Sequence, residues 1–256
     1  MRLLCALLLI ACAASAQAAI QTREMPYRSA DGTRMVGYFA YDDSKPGIRP
    51  GVIVVHEWWG LNDYAKRRAR DLAELGYSAL AIDMYGEGKH TEHPQDAMAF
   101  MQAATRDADA AKARFLAGLE LLKRQPQTDP SQIAAIGYCF GGKIVLDMAR
   151  QGLPLAGVAS FHGALGTATP AAKILVEHGS ADSLVPAKDL DALKQELNAA
   201  GADYRVVIQD GAKHGFTNPD ADAHKGHGLD IGYDRQADRR SWADLQAFLK
   251  DIFGQG

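Results

Sequence analysis

Ile133-Ala134-Ala135-Ile136-Gly137-Tyr138-Cys139-Phe140-Gly141-Gly142 decides the fold of this 256-residue chain. Ile133 to Tyr138 reads as a buried strand, and Gly142 to Arg150 as a helix. Between them lies Gly-x-Cys-x-Gly, the pattern of a sharp strand-to-helix turn that lifts a nucleophile above a sheet. The turn is so tight that a Cβ at either glycine would collide with a neighbouring element, and the middle residue is held in a strained conformation. That middle residue is Cys139. Its sulfur is expected at a helix N-terminus, where the peptide dipoles favour a thiolate.

Outward from this turn, β and α patterns alternate. Met25 to Tyr41 alternates weakly around Asp31-Gly32, a hairpin signal, and predicts two antiparallel strands. Gly51 to Val55 is a continuous apolar run, as in a buried parallel strand. Asn62 to Leu75 predicts a helix closed by Gly76, and Tyr77 to Ile82 the next strand. Pro94 to Leu122 is helical, in one or two pieces. Leu155 to Phe161, Lys173 to Glu177 and Tyr204 to Gln209 predict strands. Ala187 to Ala200 and Arg235 to Phe253 predict helices. This alternation implies an α/β fold with a mostly parallel central sheet and helices on both faces. Functional residues are then expected just past the carboxyl ends of strands.

A thiolate needs a base, and the base needs an orienting acid. His214 follows the strand ending at Gln209, and Asp182 follows the strand ending at Glu177. Nucleophile, acid and histidine then run in the chain order of α/β-hydrolases. Asp182 can equally be read as a turn residue or helix cap. Glu57, Trp58 and Trp59 follow the strand ending at Val55. The backbone N–H groups of Trp58 and Phe140 are the expected oxyanion donors. His90 and His93 lack a third ligand, so no metal is expected. His224 and His227 read as solvated loop residues, and His162 has no assignable role. Gly86 to Pro94 reads as a mobile loop.

Hydrophobic residues make up 47% and charged residues 23%, the balance of a soluble globular domain. The net charge of −3 points to neither nucleic acid nor an anionic membrane as partner. Lys66, Arg67, Arg68 and Arg70 form the densest basic group, expected as a solvated helix face. Met1-Arg2, the apolar run Leu3 to Ala14 and the small residues up to Ala18 read as a secretory signal over residues 1–18. The run is too short to span a membrane. Residues 19–256 are then one exported domain, periplasmic or secreted; lipidation of Cys12 is the lesser alternative. Cys5 and Cys12 leave with the signal, so Cys139 is the only mature cysteine and cannot form an internal disulfide.

The segments Val52–Asn62, Leu80–Tyr85, Gly137–Gly142, Gly179–Pro186 and His214-Gly215-Phe216 together resemble the dienelactone hydrolase family, over nearly the whole span from Tyr27 to Phe253. The resemblance implies a hydrolase of small esters or lactones working without metal or organic cofactor; a monomer or weak dimer is expected. It implies that Cys139, His214 and Asp182 are the catalytic triad. It also implies that Glu57 holds the thiol proton in the resting state. Trp58, Trp59, Tyr85 and Phe140 suggest an apolar cleft, in which Trp59 and Tyr85 are expected to contact substrate. The family's lactone enzymes place arginines near the positions of Glu87 and Asn218; neither residue here can pair with a carboxylate as an arginine does. An uncharged ester or lactone is therefore expected. The alternative is a non-catalytic module on the same fold that binds a ligand or senses redox state through its thiol.

Overall fold

The computed structural model describes residues 20–164 and 172–254. The expected signal segment, with Cys5 and Cys12, lies outside them. Among the described residues eight strands form one sheet: β1 (Ile20–Arg28), β2 (Arg34–Asp42), β3 (Arg49–Val55), β4 (Ser78–Ile82), β5 (Thr128–Tyr138), β6 (Gly157–Phe161), β7 (Lys173–Gly179) and β8 (Tyr204–Gln209). Their order is β1-β2-β4-β3-β5-β6-β7-β8. The hairpin β1–β2 and the β2–β4 pair are antiparallel; every other pair is parallel.

Among the described residues six α-helices cover the sheet: α1 (Asp63–Glu74), α2 (Pro94–Thr105), α3 (Ala108–Lys123), α4 (Phe140–Arg150), α5 (Ala187–Ala199) and α6 (Arg235–Phe253). Both faces of the central strands are buried, which is why those strands read as unbroken apolar runs. In β3, Ile53 and Val55 join the layer built with α2, α3, α4 and α5, whereas Val52 and Val54 pack with α1 and α6.

One strand and one helix begin earlier than their sequence patterns. β5 starts at Thr128, because residues 128–129 pair with Arg49 and Pro50 across a register shift. The polar Ser131-Gln132 hides that extension. α4 starts at Phe140, immediately after the turn.

One expectation about charge is overturned. Arg68 is not on a solvated face: it is 5% exposed and forms an ion pair with Asp238 of α6. Its guanidinium also stacks near the rings of Tyr64, Tyr138 and Trp242. Helix amphipathicity places Arg68 toward α6, and a buried cation is tolerated only with such partners.

The chain continues from β3 into α1, while β4 and β5 flank β3 on opposite sides. A crevice therefore opens above the carboxyl ends of β3 and β5, the usual place for a ligand in an α/β sheet.

Candidate active site

Cys139 occupies the bend between β5 and α4 with φ 54° and ψ −115°. This is a conformation that non-glycine residues seldom adopt and that costs about 1–3 kcal/mol. The flanking backbone enforces it. A Cβ on Gly137 would lie 2.0 Å from the carbonyl oxygen of Gly141, and one on Gly141 would lie 2.3 Å from that of Val55. The Cys139 N–H donates to the carbonyl of Phe161 at 3.0 Å, which ties the bend to the end of β6.

His214 follows β8 and Asp182 follows β7. The Nδ1–H of His214 donates to Asp182 Oδ2 at 2.9 Å. The other carboxylate oxygen accepts from the N–H groups of Leu184 (2.9 Å) and Val185 (3.0 Å). Asp182 is thus both turn cap and imidazole anchor, one oxygen for each task. Nδ1 is occupied, so Nε2 of His214 is left for the cleft. Burial opposes a charge on His214, but the negative charge of Cys139 and the bond to Asp182 outweigh it and push its pKa up to about 10.

Cys139 and His214 share one cavity of about 460 Å³. Its walls include Trp58, Trp59 and Phe140, Met98 and Met101 of α2, and Leu184, Leu229 and Ile231 from loops. Lys143 also lines it, but its Nζ is paired with Asp147 at 2.5 Å. No arginine lines the cavity among the described residues. The N–H groups of Trp58 and Phe140 take part in no backbone hydrogen bond of the loops and caps among the described residues.

Glu57 is 4% exposed and lines the same cavity. Asn218 holds it: the amide Oδ1 accepts the N–H of Asp220 at 2.9 Å, so Nδ2 donates to Glu57 Oε2, at 2.6 Å. Burial raises the Glu57 pKa to about 7; the Asn218 hydrogen bond and the His214 and Arg68 charges restrain the rise. When Glu57 is neutral, its proton belongs on Oε1, because Oε2 is already an acceptor. His56 fixes the loop that presents Glu57. Its Nε2 accepts the N–H of Met84 at 3.2 Å, so Nδ1–H donates to the carbonyl of Glu57, at 2.6 Å.

Tyr85, expected to contact substrate, is not among the residues that line the cavity. It lies behind that wall, its hydroxyl donating to the Trp58 carbonyl at 2.9 Å and its ring packed on His56 and Phe140. Trp59 does line the cavity, backed by His224 at 3.9 Å between ring centroids. That stack, on a 3-10 helix over Pro219–His227, replaces the solvated histidine expected there. The segment expected to be mobile, Gly86–Pro94, is tethered. Asp83 accepts from the N–H groups of Tyr85, Gly86 and Gly88, and Gly60 bridges to His90. Glu87, near one expected arginine position, sits in this turn and not in the cavity.

Sequence reasoning missed Asn218 as the partner of Glu57, although its place beside an expected arginine position was a signal. It also left His162 without a role. His162 proves to be fully buried, at φ 40°, with its ring centroid 5.0 Å from that of His214. Among the described residues no cluster of three or more His, Cys, Asp or Glu side chains is arranged to hold a metal.

Comparisons with known proteins agree with this architecture. The model of the dienelactone hydrolase family matches residues 35–253. The chain is 30% identical over 201 residues to the protein usf of Aquifex pyrophilus, covering 73% of this chain and 84% of that one. Among solved structures it is similar to a dienelactone hydrolase-like promiscuous phosphotriesterase from metagenomic libraries. There the identity is 36%, the TM-score 0.86, and coverage 91% of this chain and 99% of that chain. An acylaminoacyl peptidase of Pyrococcus horikoshii shares the fold at 16% identity and a TM-score of 0.65, over 79% of this chain and 39% of that one.

Proposed function

This chain belongs to the dienelactone hydrolase family of ester and lactone hydrolases, and we propose that it cleaves small, uncharged esters or lactones through a Cys139-His214-Asp182 triad. The observation that carries this reading is the 2.9 Å bond between Asp182 and His214, in one cavity with Cys139 at its strained bend.

The Cys139 thiolate attacks the substrate carbonyl, and the N–H groups of Trp58 and Phe140 receive the oxyanion. The tetrahedral intermediate collapses; the C–O bond breaks, and the imidazolium of His214 protonates the departing alkoxide. The resulting acyl-thioenzyme is hydrolysed by water whose proton passes to His214. Asp182 keeps the ring oriented and supports its positive charge throughout. In the resting enzyme Glu57 Oε1 holds the thiol proton; bound substrate displaces Glu57, and the proton passes to His214 to give the thiolate and imidazolium that react.

The substrate class follows from the walls. Aromatic and methionine side chains surround the sulfur, and the single lysine is already neutralised by Asp147. A substrate carboxylate would be desolvated there without a partner. The protein acts outside the cytoplasm, with residues 1–18 removed on export. A panel of aryl acetates, longer acyl esters, neutral lactones and a carboxylated dienelactone tests the reading. Neutral esters or lactones should be turned over at least about tenfold faster than the carboxylated lactone, the scale set by one unpaired buried charge. The reverse preference would overturn the substrate class, and full turnover by Cys139→Ala would overturn the triad.

A second substrate class is favoured by the similar metagenomic enzyme, which is a promiscuous phosphotriesterase. A neutral aryl phosphotriester fits the same apolar walls, and release of its phenol would test it.

A further inference from the structure

His162 immediately follows β6, with its side chain completely buried and its backbone at φ 40°, a region where a non-glycine residue is held only by its surroundings. Its N–H donates to the carbonyl of Glu177 at 2.8 Å, and the next residue, Gly163, packs against Gly142 of the nucleophile's helix. The ring stands at 63° to that of His214, and on another side Phe216 packs against it at 5.2 Å.

A buried chain of polar groups reaches the ring. Arg68 Nε donates to the Tyr64 hydroxyl at 3.3 Å, Tyr64 contacts Thr217 Oγ1 at 2.6 Å, and Thr217 contacts His162 Nε2 at 2.8 Å. Direction follows from the arginine, which can only donate. Tyr64 therefore accepts from Arg68 and donates to Thr217, and Thr217 donates to His162 Nε2. The opposite direction would strand the buried phenol proton. The His162 proton then resides on Nδ1, which reaches no other residue among those described.

We propose that His162 is a positioning residue for the reaction: the Arg68–Tyr64–Thr217 relay locks its imidazole in one neutral tautomer, as the wall that sets the angle of His214 between Asp182 and Cys139. This rests on the assignment of His214 and Cys139 as the reacting pair. A second imidazolium 5.0 Å from the His214 ring would oppose the charge that His214 must carry. The relay prevents it, because Nε2 is an acceptor. Burial, then the positive charges of His214, Arg68 and His178, also hold the His162 pKa down.

Thr217→Val removes the relay hydroxyl at nearly constant volume, and Thr217→Ser restores it. His162→Asn removes the ring with a residue that tolerates positive φ. For full-length protein, kcat and KM for a neutral aryl ester are measured, together with the pH dependence of iodoacetamide alkylation; near-UV circular dichroism checks folding. Thr217→Val and His162→Asn are expected to lower kcat by about tenfold or more with little change in KM, the signature of a misaligned proton-transfer group. Both should shift the alkylation profile, whereas Thr217→Ser stays within roughly twofold of the parent in kcat. If one of the two disruptive variants does not fold, the other decides. Unchanged kcat and an unchanged alkylation profile in a folded disruptive variant would overturn the proposal, even with a lower Tm. Cys139→Ala is run alongside: if it retains turnover, the reacting pair itself is wrong, a result separable from the behaviour of His162.

Discussion

The Asn218 amide donates to Glu57 Oε2 at 2.6 Å, joining two cavity-lining residues that stand 161 positions apart in the chain. Burial raises the Glu57 pKa to about 7, and the neutral donor restrains that rise without neutralising the carboxylate. Asn218→Ala removes a restraint on that rise. The kinetic limb governed by Glu57 should then move above pH 7, and stability should fall by about 1–3 kcal/mol, the cost of an unpaired buried polar atom. The pH profile of kcat/KM and urea unfolding check this. An unmoved limb would separate Asn218 from Glu57.

Glu57→Gln keeps the shape and removes the titration. The folded pKa of about 7 lies above the ordinary 4.5, so the stability due to neutral Glu57 is fully present below pH 4.5 and is lost as pH rises through 7. The glutamine variant should therefore gain stability over the parent at pH 8, by at most about 3 kcal/mol, and not at pH 4. Its turnover should fall, with the Glu57 limb missing from the profile. Melting curves at the two pH values read the first effect. Equal Tm differences at both would contradict it.

Glu177 offers the same test away from the cavity. It is fully buried at the end of β7, one oxygen accepting from Gln209 Nε2 at 2.8 Å, and burial raises its pKa to about 8. Stability from its neutral form is lost as pH rises through 8. Glu177→Gln should raise Tm at pH 9, by the equivalent of about 2–4 kcal/mol, and leave it unchanged near pH 4. Ester turnover at pH 7 should stay within roughly twofold, because Glu177 is outside the cavity. Differential scanning calorimetry settles the sign.

Gly141→Ala would push a methyl group to 2.3 Å from the Val55 carbonyl oxygen. Backbone on both sides cannot yield without moving the bend. The expected cost is about 3 kcal/mol or more in stability, with turnover reduced by about a hundredfold in whatever remains folded. A variant with parental Tm and kcat would show that the bend is looser than drawn.

The fold was legible because its signals are local. Gly51 to Val55 announces a strand buried on both faces, and Gly137 to Gly142 announces a turn that few arrangements accept. The positions of Asp182 and His214 followed from the rule that function sits past strand ends. Long-range pairings were not legible. Arg68 looks like one more surface cation until Asp238, 170 positions later, packs against it. Tyr85 lies behind the cavity wall because its hydroxyl finds the Trp58 carbonyl. His224 is read as solvated until Trp59 supplies a ring to stack on. Each depends on where a distant side chain lands, which periodicity and spacing do not encode.

The most direct test of the central claim is intact-mass spectrometry with peptide mapping, after brief exposure of the protein to a slowly hydrolysed aryl ester. An added acyl mass is expected on the peptide that carries Cys139, decaying as acid is released and missing from Cys139→Ala. Turnover without any adduct in Cys139→Ala, or an acyl group mapped to another side chain, would contradict it.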